Sequence, residues 1–105
     1  ATCGTFGAAA AAARVFGLDA KGMESAFGIA LSQAAGSLQF LANGAWTKRF
    51  QVGWSAMNGL AAATLAREGF RGAAEAFEGR AGFLRAYAPN PVPERALQGL
   101  GTMFE

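Results

Sequence analysis

Six consecutive alanines, Ala8 to Ala13, constrain this chain more than any other feature of it. Alanine is the strongest helix former, so the run belongs to a helix. It gives that helix no bulky face to bury. The shortage of side chain continues throughout, since 26 of the 105 residues are alanine and 15 are glycine. Helices with such faces can approach more closely than the usual spacing of about 8–10 Å. The large residues Phe16, Phe27, Trp46, Trp54, Phe70, Phe77 and Phe83 are then expected to fill gaps between helix pairs. Alanine faces bury little area each. Stability is therefore expected to depend on neighbouring chain or a partner subunit.

The helix signals are local. A first helix is expected from about Thr5 to Phe16, stopped by Gly17 with Leu18 as the apolar residue after the cap. Asp19 is a good N-cap for a second helix, about Ala20 to Ala35, whose Met23, Phe27, Ala30, Leu31 and Ala34 follow helical spacing. The pattern breaks from Ser37 to Phe50, with a turn signal at Asn43-Gly44. A third long helix is expected from about Gly53 to Arg67, with Trp54, Met57, Leu60, Ala61 and Leu65 inward and Gly69-Phe70 repeating the glycine stop. Shorter helices are predicted at about Ala73–Glu78, Ala81–Tyr87 and Glu94–Leu100, with Pro89, Pro91 and Pro93 stiffening the connector before the last. No segment alternates with period two. The expected fold class is all-α: closely packed, Ala/Gly-rich helices forming part of a larger helical domain.

Composition excludes several chemistries. One cysteine and no histidine leave no zinc, haem or iron–sulfur site to be built from this chain alone. A disulfide framework and a histidine triad are excluded likewise. A net charge of +2 is too small to argue for nucleic acid. Ser25 to Thr47 carries no charge, but its serines, glutamines, asparagine and three glycines argue against a membrane span. Both ends read as cut from a longer domain: the chain opens inside an apolar run without a methionine and closes on Met103-Phe104-Glu105.

Two stretches could carry chemistry. Thr2-Cys3-Gly4-Thr5-Phe6-Gly7 opens a helix, whose free N–H groups can hold a carboxylate or phosphate, although a close-packed helix entry is the favoured reading of its glycines. Cys3 is expected to be a buried structural thiol. Asn43 to Trp54 sets Lys48, Arg49 and Gln51 among aromatics ahead of a long helix. An ammonium there could bind a carboxylate or, desolvated, act as acid or base; a solvated pair is the plain alternative. The remaining charges, from Arg67 to Arg85, read as solvated faces.

In combination, these segments resemble the MmgE/PrpD family. The resemblance rests on Thr2-Cys3-Gly4-Thr5-Phe6-Gly7, Gly17-Leu18-Asp19, Gly28 to Gly36, Asn43-Gly44-Ala45-Trp46-Thr47-Lys48, Gly53-Trp54-Ser55-Ala56, Gly69-Phe70, Phe77-Glu78-Gly79 and Gly82-Phe83. It covers essentially the whole chain. Members include 2-methylcitrate dehydratase, cis-aconitate decarboxylase and iminodisuccinate epimerase. The resemblance implies a cytoplasmic lyase or isomerase that removes a proton alpha to a carboxylate of a small polycarboxylate. It implies no metal or organic cofactor, no nucleic acid and no membrane. It further implies a homodimer, with a helical domain to which residues 1–105 contribute a part and an α+β lid outside them.

By the same resemblance, Lys48 matches the family's active-site lysine, and Gln51 stands where members often have a histidine. Gln51 can still hydrogen-bond a substrate carboxylate. The family's catalytic histidine falls just ahead of the Thr2-Cys3-Gly4 motif, upstream of Ala1, so residues 1–105 alone are expected to be inactive. The alternative is a non-enzymatic helical interaction module whose Phe and Trp faces bind a partner helix.

Overall fold

The alanine run lies inside a helix that starts at once, at Thr2, rather than at Thr5. The computed structural model describes residues 1–104. In order, its helices are α1 (Thr2–Val15), α2 (Ala20–Leu31), α3 (Phe40–Asn43), α4 (Thr47–Arg67), α5 (Phe83–Tyr87) and α6 (Pro93–Leu97). No strand occurs among the described residues, so the all-α expectation holds. None of their helices is long and apolar enough to cross a membrane.

Helix ends follow their sequence signals closely. Gly17 is left-handed (φ 69°), and the Leu18 and Gly17 N–H groups donate to the carbonyls of Ala13 and Arg14 at 3.0 and 3.1 Å. The end of α4 repeats this: Gly69 has φ 88°, with Phe70 donating to Leu65 at 3.0 Å and Gly69 to Ala66 at 3.1 Å. Both are Schellman closures, which satisfy carbonyls the helix leaves orphaned. The Asp19 side chain caps α2 by accepting from the Gly22 N–H at 2.8 Å, a contact worth about 1 kcal/mol.

The three long helices form one core, with α4 packed most extensively on α1 and then on α2. The contact is made by small residues. From α1 come Thr5, Ala9 and Ala13, and from α4 Ser55, Asn58, Gly59, Ala62 and Ala63, all buried. A Cβ placed on Gly59 would collide with Ala8 and with the α1 backbone at Thr5 and Ala9. This reverses the expected orientation of α4. Trp54, Met57, Leu60 and Leu65 are exposed by 46, 52, 51 and 42 %, and Ala61 is exposed as well. The shallow alanine surface of α1 can be matched at short range only by residues equally small, so the bulky side of α4 turns outward.

Residues 70–87 are fastened to this core by aromatics. Phe6, buried, sits 4.8 Å from Phe77 and 5.0 Å from Phe83 between ring centroids. Phe27 meets Phe77 at 5.1 Å, and the Tyr87 hydroxyl donates to the Ala34 carbonyl at 2.9 Å. Of the residues expected to fill gaps, Phe27, Phe77 and Phe83 do so, and Phe16 is half-buried beneath the Arg67 guanidinium at 4.3 Å. Trp46 and Phe70 stay exposed.

The expected helix at 73–78 does not form. A Cβ on Gly28 would strike the Gly72–Ala73 backbone, so this strand of loop lies flush on α2, and Glu75 then adopts a left-handed φ of 55°. Its chain is held instead by turn bonds such as Phe83 N–H to the Ala76 carbonyl at 2.8 Å. The other boundaries also move. Helix α2 ends at Leu31, four residues before Ala35, α4 begins six residues before Gly53, and α5 and α6 are shorter than the spacing suggested.

Two glycines on α4 test the packing. Gly53 has open space where its Cβ would go, and Gly59 has none. Gly53→Ala should raise the melting temperature through a gain of about 0.5–1 kcal/mol. Gly59→Ala should lower it by an overpacking penalty of about 1–3 kcal/mol. Melts followed at 222 nm should therefore shift in opposite directions; shifts of the same sign would contradict the α1–α4 contact.

Candidate functional site

Helix α4 starts ahead of its glycine because nothing before Gly53 opposes helix. Gly44, left-handed at φ 65°, ends α3 and redirects the chain. Trp46 is the N-cap, with its carbonyl accepting from the Arg49 and Phe50 N–H groups at 3.0 and 3.4 Å. Lys and Arg are good helix formers. Phe50 and Trp54, one turn apart, stack at 5.5 Å and 18° across the Gly53 position, which offsets that residue's low propensity.

This early start decides the site. Lys48 and Gln51 fall on one helix at i and i+3, so they lie one turn apart on neighbouring sides of α4. Lys48 and Arg49, both exposed, line an open groove of about 500 Å³ with Phe40, Leu41 and Trp46. Two cations against an aromatic wall suit a planar, multiply charged anion. Gln51 turns the other way: its side-chain N–H donates to the Ser37 carbonyl at 2.8 Å. An amide carries two donors, so one N–H of Gln51 and its carbonyl oxygen remain. The structure thus places Lys48 in the groove, with Gln51 bracing the adjoining strap.

The start of α1 closes on the same end of the bundle. A Cβ on Gly36 would lie 2.9 Å from the Ala1 Cβ and 3.0 Å from Gln51 Oε1, and one on Gly4 would lie 3.1 Å from Ser55 Oγ. Residues 1–4, 36–37 and 51–55 therefore converge, although the first and last of these segments are far apart in sequence. Cys3 is exposed, contrary to the expected buried thiol, because Thr5 and Phe6 take the inward positions of this turn. No group of three or more potential metal ligands occurs among the described residues.

Arg49 stood in the basic stretch without a role of its own, and the carbonyl of Ser37 was not singled out at all. The adjacent Lys-Arg pair was a visible signal for Arg49. For Ser37 there was none, since its role depends on a contact fourteen residues away. A second hollow of about 600 Å³, lined by Phe27, Phe77, Leu84 and Leu97 with Glu78 and Glu94, carries no cation and does not suit an acidic ligand.

Comparison with known proteins identifies the family. Residues 1–96 match the model of the MmgE/PrpD N-terminal domain, and the chain belongs to that family. It is 37 % identical over 109 residues to a cis-aconitate decarboxylase-like protein, oryM, of Aspergillus oryzae (strain ATCC 42149 / RIB 40). That alignment takes in 97 % of the chain and 22 % of the relative, so the chain spans about a fifth of that relative's length. No solved structure shows significant similarity.

The Gln51 contact makes a local prediction. Gln51→Ala should speed amide hydrogen exchange at residues 36–39 by about fivefold, as expected for loss of one hydrogen bond of about 1 kcal/mol. Exchange in α1 and in the second half of α4 should be unchanged. Uniform acceleration throughout the chain would contradict a local brace.

Proposed function

We propose that this member of the MmgE/PrpD family serves a lyase or isomerase acting on small polycarboxylates, with Lys48 in contact with a substrate carboxylate. One observation carries the reading: Lys48, which by resemblance matches the family's active-site lysine, lines a cationic, aromatic-walled groove with Arg49, Phe40 and Trp46. The reaction class is removal of a proton from the carbon alpha to a carboxylate. Such a carbanion is stabilised when the neighbouring carboxylate is held by a cation, because charge moves onto its oxygens in the transition state.

Lys48 would supply that charge through its ammonium. It can also return a proton to the product if the groove is closed to water. Gln51 lies outside the groove and gives one N–H to Ser37; its second N–H would reach a carboxylate of a substrate that extends past Lys48 towards residues 36–37. The start of α1 abuts Gly36 and Gln51. A base delivered just ahead of the Thr2-Cys3-Gly4 motif, where the resemblance sets the family's histidine, would face substrate from that side. The name of the Aspergillus relative supports a decarboxylase-like variant of this chemistry. Decarboxylation would reach a similar carbanion by breaking a carbon–carboxylate bond, releasing CO2 and then taking up a proton, whereas dehydration and epimerisation begin with the proton abstraction.

Lys48→Ala, in an active enzyme containing this segment, should lower kcat/KM on its polycarboxylate substrate by about 10²–10⁴-fold. Lys48→Arg separates the roles. Arginine keeps the charge but does not transfer a proton, so recovery of KM without kcat would mark proton transfer. Unchanged kcat/KM in Lys48→Ala would sink the proposal. A loss of activity accompanied by a lowered melting temperature would mark a structural role instead.

A further inference from the structure

Lys48 and Arg49 stand apart from every other charge in the chain. Between Glu24 and Glu68 there is no acidic residue. Each of the other seven basic residues has an acid within seven positions of it in sequence, whereas the acid nearest Arg49 is nineteen positions away. Folding does not supply one, since Arg67–Glu68 is the only ion pair among the described residues. The two cations are adjacent, so they repel each other. They also occupy the first turn of the 21-residue helix α4, which contains no acidic side chain. The helix dipole is positive at that end and opposes cations there. Nothing among the described residues offsets either penalty.

Position and chemistry separate what the two cations can do. The Arg49 N–H donates to the Trp46 carbonyl at 3.0 Å, so Arg49 sits one turn along from that tryptophan, and both line the groove. Lys48 enters the same groove from an adjacent side of the helix. Its ammonium is a compact charge that can gain or lose a proton. The Arg49 guanidinium is a rigid fork whose parallel N–H groups match both oxygens of one carboxylate, and it keeps its proton. That suits it to a carboxylate that must be held rather than transformed.

We propose that Arg49 is the specificity-determining residue of this groove, gripping through two hydrogen bonds a substrate carboxylate that takes no part in the reaction, a role that rests on the reading of Lys48 given above. A substrate with one carboxylate satisfies Lys48 and leaves Arg49 opposed by its neighbour and by the helix field. A second carboxylate relieves both. Discrimination between polycarboxylates and monocarboxylates therefore comes from Arg49, while Lys48 serves the reacting end. The groove is open, so the Arg49 pairing weakens as salt is added.

In an active enzyme containing this segment, Arg49→Ala should raise KM by about tenfold or more and leave kcat within about twofold. Its melting temperature should not change, because the side chain is exposed. Arg49→Lys keeps the charge without the fork and should recover only part of the loss. The pairing itself is read from competitive inhibition by tricarballylate, methylsuccinate and glutarate; the last two each lack one carboxylate of the first. In the wild type at least one omission should weaken inhibition by about tenfold. For one of the two ligands Arg49→Ala should erase that difference, and Lys48→Ala should preserve it. Unchanged KM and inhibition in Arg49→Ala, beside a Lys48→Ala variant that has lost kcat/KM, would overturn the role of Arg49 and leave the proposed function standing. Equal loss for all three inhibitors would overturn it too, as would a loss confined to kcat. If Lys48→Ala is as active as the wild type, the proposed function falls first and the role of Arg49 with it.

Discussion

The near-contact of two helix backbones at Gly59 governs this structure. Because no side chain intervenes there, α1 and α4 approach through Thr5, Ala8 and Ala9, and the rest is arranged around that approach. It demands small residues on both faces, which accounts for the alanine run. It also fixes the rotation of α4, sending Trp54, Met57 and Leu60 away from the core. The same approach brings the start of α1 beside the third turn of α4, where Gly4 meets Ser55. The convergence at this end of the bundle is a consequence of the packing in its middle.

Close packing of small groups gains dispersion but buries limited apolar area. The deficit is offset in one place by the knot of Phe6, Phe27, Phe77 and Phe83, which ties the irregular segment after α4 onto the first two helices. Peripheral contacts add little: the Arg67–Glu68 pair at 3.3 Å is solvent-exposed and such pairs contribute less than about 1 kcal/mol. The bulky side of α4 contributes nothing to the core of the isolated chain.

Features determined within a few residues were legible in the sequence. The glycine stops at Gly17 and Gly69 and the Asp19 cap depend on contacts no more than five residues apart. The all-helical class was legible as well, since alanine and the absence of alternation are local properties. What needed three dimensions was misjudged. Apolar periodicity on α4 was assigned to the core, when the α1 surface had room only for the small side. Gly53 was taken as a helix boundary, although the Phe50–Trp54 stack spans it. The helix expected at 73–78 yielded to the flush contact of Gly72 and Ala73 with α2. For the site, the basic pair and its aromatic neighbours were visible in the chain, and family membership rests on motifs spread along it. The commitment of Gln51 to Ser37 was not visible, because no local rule links them.

The central claim is that the convergent end of the helices holds a small polycarboxylate at Lys48. The most direct measurement is a map of backbone amide shifts during titration with tricarballylate, an unreactive tricarboxylate, with acetate as the control. The account predicts saturable changes confined to residues 36–51 and the first turn of α1, much weaker with acetate and abolished by Lys48→Ala. Changes centred on the Glu78–Glu94 hollow, or an identical map in the Lys48→Ala variant, would contradict it.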